Sequence, residues 1–431
     1  MAGATALKSI KHQLIGYVAL GVRRWNCRCD NYGSSVGRIY LELLSSSHFG
    51  GLIVKQPLGH AGVIASFRNK LLITLVLFVC SNLLVLAFAN IARWTLGAEY
   101  YGLSSFCRWD GNWFSTVAAQ GYDAAPHPHP SHPGNDVTNW PFFPLHPLLA
   151  RVFFAGLGIS PKASVVVASR LAFLLAIFAF VHMAARETGD VTDVTIAGGM
   201  VAFNPYLIYA NGGYSEPLYF ALAAAGFYFL AKEEWEMAGL MGALLSATRI
   251  VGCLFAISYL ISALRKISLR EIVQGTRLDI VVGGLLCPLG LSLYMLYMYH
   301  HTGDSLAFLH GQLAWGRSPR SPWNTFMMSI QEHGWPRVCA VMSLCGLLMS
   351  AWLCVKRYWE MGAFLALNIL IAMSASFEGF PRYIWWQPPL LFGVFLIIRR
   401  QMLPSIIYFV FAGAMASFMV VEWFMHLPFV I

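Results

Sequence analysis

The chain has 431 residues, of which 58% are hydrophobic and only 11% charged, with a net charge of +9. A soluble globular domain carries about 25% charged residues, so this composition excludes one. Apolar runs of about 17–25 residues, the length that crosses a bilayer as helix, recur along most of the chain, and the expected class is an all-α polytopic membrane protein with one membrane domain. In such a protein basic residues mostly mark loops kept in the cytoplasm, so the positive charge does not point to nucleic acid. Of the nine cysteines, Cys80, Cys253, Cys287 and Cys354 fall within apolar runs, and Cys27-Arg28-Cys29 is too tight for a standard zinc pair. Neither a disulfide framework nor a structural metal is expected.

Residues 1–70 differ from the rest: they hold Lys8, Lys11, Arg23, Arg24, Arg28, Arg38, Lys55, Arg68 and Lys70 against only Asp30 and Glu42. They contain no unbroken apolar run of spanning length and no clear signal-peptide cleavage site. They read as a disordered or interfacial cytoplasmic extension, or as a wrongly assigned start, ahead of a membrane domain at 71–431. The first span is expected at 71–92, and the positive charge before it places the N-terminus in the cytoplasm. Further spans read at 165–184, 191–210, 214–231, 236–248, 250–264, 279–299, 337–355, 360–376, 383–398 and 403–423, eleven in all, with the short pair either side of Thr248-Arg249 open to being tilted or half-spanning. The segment Pro141–Gly158 is apolar but broken by Pro141, Pro144 and Pro147. Read as dipping into the interface without crossing, it leaves Arg186, Lys232, the basic residues of 265–277, Lys356/Arg357 and Arg399/Arg400 all on the cytoplasmic side.

On this map the unusual polar residues gather on the far side. The first loop holds Arg108-Trp109-Asp110-Gly111-Asn112-Trp113 and then Asp123; Asn204-Pro205 and Asn211-Gly-Gly-Tyr214-Ser215-Glu216 follow. Arg249, a loop with His300, His301, Asp304, His310, Arg317 and Arg320, and finally Glu378-Gly-Phe-Pro381-Arg382-Tyr383 complete the set. An ionisable group at the bilayer centre costs about 2.5–3.5 kcal/mol or more, so each is by default a functional hypothesis. Acidic groups beside arginines would suit a lipid-phosphate-linked substrate, with arginines on phosphate and a carboxylate as base. Each also has a plainer reading. Asp110 could simply pair with Arg108, Arg249 could anchor a helix end, Glu216 could complement a helix dipole, and Arg382 could mark the interface. The His127-Pro-His129-Pro-Ser-His132 tract reads as an extended mobile loop sooner than a metal site, and Gly212-Gly213 as a turn.

Taken in order, Arg108-Trp109-Asp110-Gly111, Gly121-Tyr122, Phe142-Phe143-Pro144-Leu145, Asn204-Pro205, Tyr214-Ser215-Glu216 and Pro381-Arg382-Tyr383 resemble the GPI mannosyltransferase 2 family. The likeness covers about residues 71–398. That family belongs to the GT-C glycosyltransferases, multispanning enzymes that take sugars from polyprenyl-phosphate donors on the non-cytoplasmic side. The resemblance implies transfer of mannose from dolichyl-phosphate-mannose to a lipid-linked glycan, adding the second mannose of the GPI core in an α-1,6 linkage. It implies an inverting enzyme with Asp110 as base, and Arg249 and Arg382 on the donor phosphate. Arg108 would hold Asp110 or the phosphate, Tyr214 and Glu216 would orient sugar hydroxyls, and Trp109 and Trp113 would face sugar or lipid. No cofactor is required on this reading, although some GT-C members use a divalent metal. A small membrane partner subunit is compatible with it.

The chain departs from that pattern in its first 70 residues, which have no recognised counterpart. It is also compact with short loops, like bacterial relatives of the family. A bacterial relative would act on another glycan, glycolipid or protein acceptor, using a bacterial polyprenyl-phosphate sugar, in the inner membrane instead of the endoplasmic reticulum. A transporter or lipid-linked-sugar flippase would also have many spans and buried charges, but such folds often show two similar halves. No internal repeat is visible here, and the polar residues collect on one face.

Overall fold

The computed structural model describes residues 66–425, apart from positions 99, 101, 130–131, 269, 272–276, 316–318, 376 and 378. The expected cytoplasmic extension, up to residue 65, and the expected far-side residues Arg317 and Glu378 lie outside the described positions. All described residues belong to one compact unit. Among the described residues its regular secondary structure is helical, save for a two-stranded antiparallel hairpin of β1 (His127–His129) and β2 (His132–Val137), with a register irregularity between Pro128 and His129.

The long helices form where apolar residues run without interruption. The first is α1 (Phe67–Leu96), capped by the Ser66 side chain, which accepts from the Asn69 amide, and closed by Gly97 at φ 70°. Its buried stripe is small and helically spaced (Thr74, Ser81, Val85, Ala89, Ala92), while Leu72, Val76 and Leu83 face outward. Large apolar side chains outside and small ones inside are the pattern of a lipid-facing helix. Helices α2 (Asp110–Gln120) and α3 (Leu145–Leu157) follow. At 13 residues α3 rises only about 20 Å, short of the hydrocarbon thickness of about 30 Å.

The hub is α4 (Pro161–Ala184), which starts on a Ser160 cap with proline in its first turn and is buried on most sides. It packs against α1, α2, α3, α5 (Val191–Ala202) and α6 (Glu216–Lys232). Next come α7 (Trp235–Ser246), α8 (Phe255–Lys266), α9 (Leu278–Leu286), α10 (Leu289–Thr302) and the single turn α11 (Ala307–His310). The described residues end with α12 (Pro322–Gln331), α13 (Trp335–Val355), α14 (Trp359–Met373), α15 (Phe380–Trp385), α16 (Pro388–Ile398) and α17 (Met402–Met425). The last packs back on α1.

The protein is thus an all-α, multi-pass membrane protein, as expected, and the eleven expected spans differ in length. Among the described residues four helices are long and apolar enough to span, α1, α4, α13 and α17; α9 and α10, bent by 42° at their junction, make a fifth if taken as one. The other six expected spans contain helices of 11–17 residues. The reason lies in particular breaks. Asn204-Pro205 ends the expected 191–210 span after α5, leaving only a 3-10 turn at Leu207–Ala210. Gln387-Pro388 divides the expected 383–398 span into α15 and α16, while extended backbone at Arg249 (φ −155°, ψ 147°) falls at the expected boundary between the 236–248 and 250–264 spans. Non-helical backbone at membrane depth is tolerated where it is buried in protein or lines a cavity, and the two later breaks line one.

Candidate functional site

Backbone proximity builds this site before any charge enters it. The N-terminus of α2 lies against the turn Asn211–Ser215: a Cβ at Gly111 would stand 2.6 Å from the Gly212 carbonyl oxygen, and one at Gly212 would stand 2.7 Å from the Trp423 ring. Only glycine permits that approach, so Gly111 and the Gly212-Gly213 pair set how deep Asp110 sits. The same turn is fixed by Ser169, which donates to the Tyr214 carbonyl at 2.6 Å, and by His146, whose Nε2 lies 3.1 Å from the Gly213 carbonyl and donates to it. The Asp110 amide in turn donates to the Tyr214 hydroxyl oxygen at 3.3 Å. Trp109, just before the helix, is held at φ 45°, ψ −116°, a conformation that costs a non-glycine residue about 1–3 kcal/mol. Its indole meets Trp423 edge-on at 4.6 Å, and Trp423 also contacts Tyr209 and Tyr214.

Four charged side chains from four separate parts of the chain then meet in alternating order. Arg382 of α15 donates to Asp110 Oδ2 at 2.6 Å and to the Tyr383 hydroxyl oxygen at 2.8 Å. Its Nε stands 3.5 Å from Glu216 Oε1 and has no hydrogen-bond partner there, so that contact is Coulombic only. The same Glu216 oxygen is 2.8 Å from Arg249 NH1. The order is therefore Asp110, Arg382, Glu216, Arg249, with a net charge of zero. Aromatic faces complete the setting: Arg382 lies over the rings of Tyr209, Tyr214 and Tyr383, and Arg249 over Tyr383 at 4.6 Å, all within range of cation–π attraction.

Exposure separates the roles open to these groups. The side chains of Arg382 and Glu216 are 6% and 3% exposed, whereas Asp110 is 32% and Arg249 22% exposed. The inner pair braces the cluster, and the outer carboxylate and outer guanidinium face the space where a ligand would lie. That space is a cavity of about 570 Å³ lined by Asp110, Glu216, Arg249 and Tyr383 among its polar residues. Much of the remaining wall is apolar, including Phe308, Leu309, Leu313, Ile369 and Ala372. His310, also on the wall, lies 2.6 Å from Asp304. That hydrogen bond, helped by the Leu306 amide, holds the Asp304 carboxyl below the usual carboxylate range.

The residues singled out in the sequence end up in different places. Asp110, Tyr214, Glu216, Arg249 and Arg382 come together. Arg108 donates to the carbonyls of Trp423 (3.0 Å) and Ser105 (3.2 Å) and lies over Phe424, so it ties the first loop to α17, while the Asp110 ion pair is made by Arg382. Trp113 stacks on Phe142 at 5.8 Å and on His127 at 6.2 Å. Asp123 is engaged in a loop clasp: its Oδ2 accepts from the Asn139 amide at 2.9 Å, and the Asn139 side chain accepts from the Asp123 amide. Sequence reasoning did not single out Tyr219, Asn368 and Gln387, which line the same cavity, nor Trp423 in the last helix. The available signal was a polar amide inside, or next to, an otherwise apolar run.

No known family model matches this chain, and no curated protein matches it. Among solved structures it is similar to the oligosaccharyltransferase of Archaeoglobus fulgidus, crystallised in complex with Zn and sulfate. The TM-score is 0.35 at 13% identity, over 78% of this chain and 53% of that one, so the chain spans about half the length of that structure. A likeness this loose carries no activity or residue role across.

Proposed function

We propose that this chain is a membrane glycosyltransferase, which moves a sugar from a polyprenyl-phosphate carrier to a hydroxyl of a lipid-linked glycan. The observation that carries the reading is the chain Asp110–Arg382–Glu216–Arg249 on the wall of a cavity otherwise lined largely by apolar side chains. An amphiphile with a phosphate between a sugar and a hydrocarbon tail fits such a space. Its tail lies along Phe308, Leu313 and Ile369, and its phosphate meets the accessible guanidinium of Arg249.

On this reading Asp110 is the general base. Arg382 holds Oδ2, which leaves Oδ1 to receive the proton of the acceptor hydroxyl. The acceptor oxygen bonds to the anomeric carbon as the bond from that carbon to the phosphate oxygen breaks, and the anomeric configuration inverts. The charges balance within the site: the phosphate passes from one negative charge to two, while protonation of Asp110 shifts the four-residue cluster from zero to +1. A positive field that grows as the leaving group becomes more negative stabilises the transition state more than the ground state. Among the described residues no group of three or more His, Cys, Asp and Glu side chains is placed to hold a metal ion. The finer assignment is mannose from dolichyl-phosphate-mannose to a mannosylated GPI precursor, and it rests on the sequence resemblance.

The test is transfer by purified protein in liposomes, given radiolabelled polyprenyl-phosphate-mannose and a mannosylated glycolipid. The expected result is label in the glycolipid with release of polyprenyl phosphate. Folded protein that transfers label from no polyprenyl-phosphate sugar would overturn the reading.

A further inference from the structure

One polar group on the cavity wall takes no part in the charged chain. Tyr219 lies three residues after Glu216 on α6, so the two project from the same helix face about 4.5 Å apart along the axis. Its hydroxyl donates to Asn368 Oδ1 at 2.8 Å, and Gln387 Nε2 donates to the same oxygen at 3.3 Å. Asn368 in turn donates to the Phe364 carbonyl at 2.8 Å. The three come from α6, α14 and the cap of α16, and all three line the cavity while being 2–5% exposed. The Phe364 carbonyl can only accept, so Asn368 turns Oδ1 toward Tyr219 and Gln387; Gln387 must then present Nε2 to that oxygen, and its Oε1 is buried with no hydrogen-bond partner.

A buried acceptor without a donor is destabilising unless a ligand supplies one. The geometry points to a neutral hydroxyl-reading subsite made of Tyr219, Asn368 and Gln387, in which Gln387 Oε1 accepts from one hydroxyl of the sugar being transferred. This rests on the glycosyltransferase reading and deepens it. Phosphate is drawn to Arg249, whereas this uncharged group one turn further along α6 offers an acceptor only. It therefore favours a sugar hydroxyl, gains nothing from a deoxy position and repels a carboxylate. Tyr219 and Asn368 are positioning residues; Gln387 makes the contact.

The test uses full-length protein in liposomes and a set of polyprenyl-phosphate-mannoses each lacking one hydroxyl, comparing kcat/KM with that of the full sugar. Wild type is expected to penalise one deoxy donor by about 10- to 100-fold, the scale of an orphaned buried acceptor. Gln387→Met, which keeps the length and removes the acceptor, is expected to shrink that penalty to about 3-fold or less, with transfer still dependent on Asp110. A penalty unchanged in Gln387→Met, or no penalty in wild type, would overturn the subsite and leave the glycosyltransferase reading intact. Wild type that transfers no sugar at all would remove both. Should Gln387→Met not purify as a monodisperse protein, Tyr219→Phe takes its place. It removes one of the two donors that hold Asn368 and is expected to reduce the same penalty, and an unchanged penalty would again overturn the assignment.

Discussion

Replacing Arg382 with methionine keeps the apolar stem of the side chain and removes a guanidinium that contacts both carboxylates. Asp110 then loses a 2.6 Å partner and Glu216 a 3.5 Å one. Removing one member of a buried ion pair costs about 3–5 kcal/mol, because the other charge stays buried without compensation. Here the loss should fall near the lower end. Asp110 is 32% exposed and can recover water, and Glu216 keeps Arg249 at 2.8 Å. The discriminating variant is the double one, Arg382→Met with Glu216→Gln, which removes a positive and a negative charge together. If the two groups are coupled as their positions imply, the double variant is less destabilised than the sum of the singles by about 1 kcal/mol or more, within the 0.5–3 kcal/mol usual for residues in contact. The assay is thermal unfolding of the detergent-purified protein for wild type, both singles and the double. Additive shifts, or an Arg382→Met variant as stable as wild type, would refute the claim that these charges form one cluster.

Gly111→Ala drives a Cβ to 2.6 Å from a backbone oxygen, so it is expected to cost about 1–3 kcal/mol as overpacking. It should also lower transfer by about 100-fold through displacement of Asp110, and transfer at the wild-type rate would contradict this. Asp123→Asn should loosen the Asn139 clasp, seen as faster proteolysis of the 121–140 loop, while keeping transfer within about tenfold of wild type, well inside the loss expected for a missing general base. Arg249→Gln is expected to raise the donor KM more than it lowers kcat, since its accessible guanidinium would bind phosphate in ground and transition states alike; an unchanged KM would count against the phosphate role. Asp304 has its carboxyl held below the ordinary value of about 3.9, so its contribution to the loop is complete above that pH and is lost as pH falls through the lower folded value. Exchange of the Leu306 amide, which donates to Asp304 at 2.9 Å, should accelerate only in that acid range, and equal acceleration near neutrality would contradict the assignment.

Much of the fold could be read from the sequence because apolar runs such as 71–92 and 165–184 have one structural outcome in a bilayer. What could not be read was which runs stay unbroken. Asn204-Pro205 and Gln387-Pro388 interrupt helices inside expected spans, and a hydropathy window averages across them. The polar residues worth attention were visible as ionisable groups in an apolar chain, but their partners were not. Asp110 and Arg382 are 272 positions apart, and adjacency in sequence suggested Arg108 instead. The backbone at Trp109, held at positive φ by packing on Trp423, sets Arg108 toward α17 and Asp110 toward the cavity. Asn368 and Gln387 carry no charge to mark them within the sequence, and their meaning depends on one oxygen left without a donor.

The central claim is that Asp110 removes the acceptor proton, and the most direct measurement is the rate of sugar transfer by Asp110→Asn relative to wild type, at saturating donor and acceptor. The substitution keeps the shape of the side chain and abolishes its basicity. The account predicts a loss of about 100-fold or more, the scale of a missing general base. A variant that folds and transfers at close to the wild-type rate would contradict it and pass the role to another carboxylate, with Glu216, buried between two arginines, the next to test.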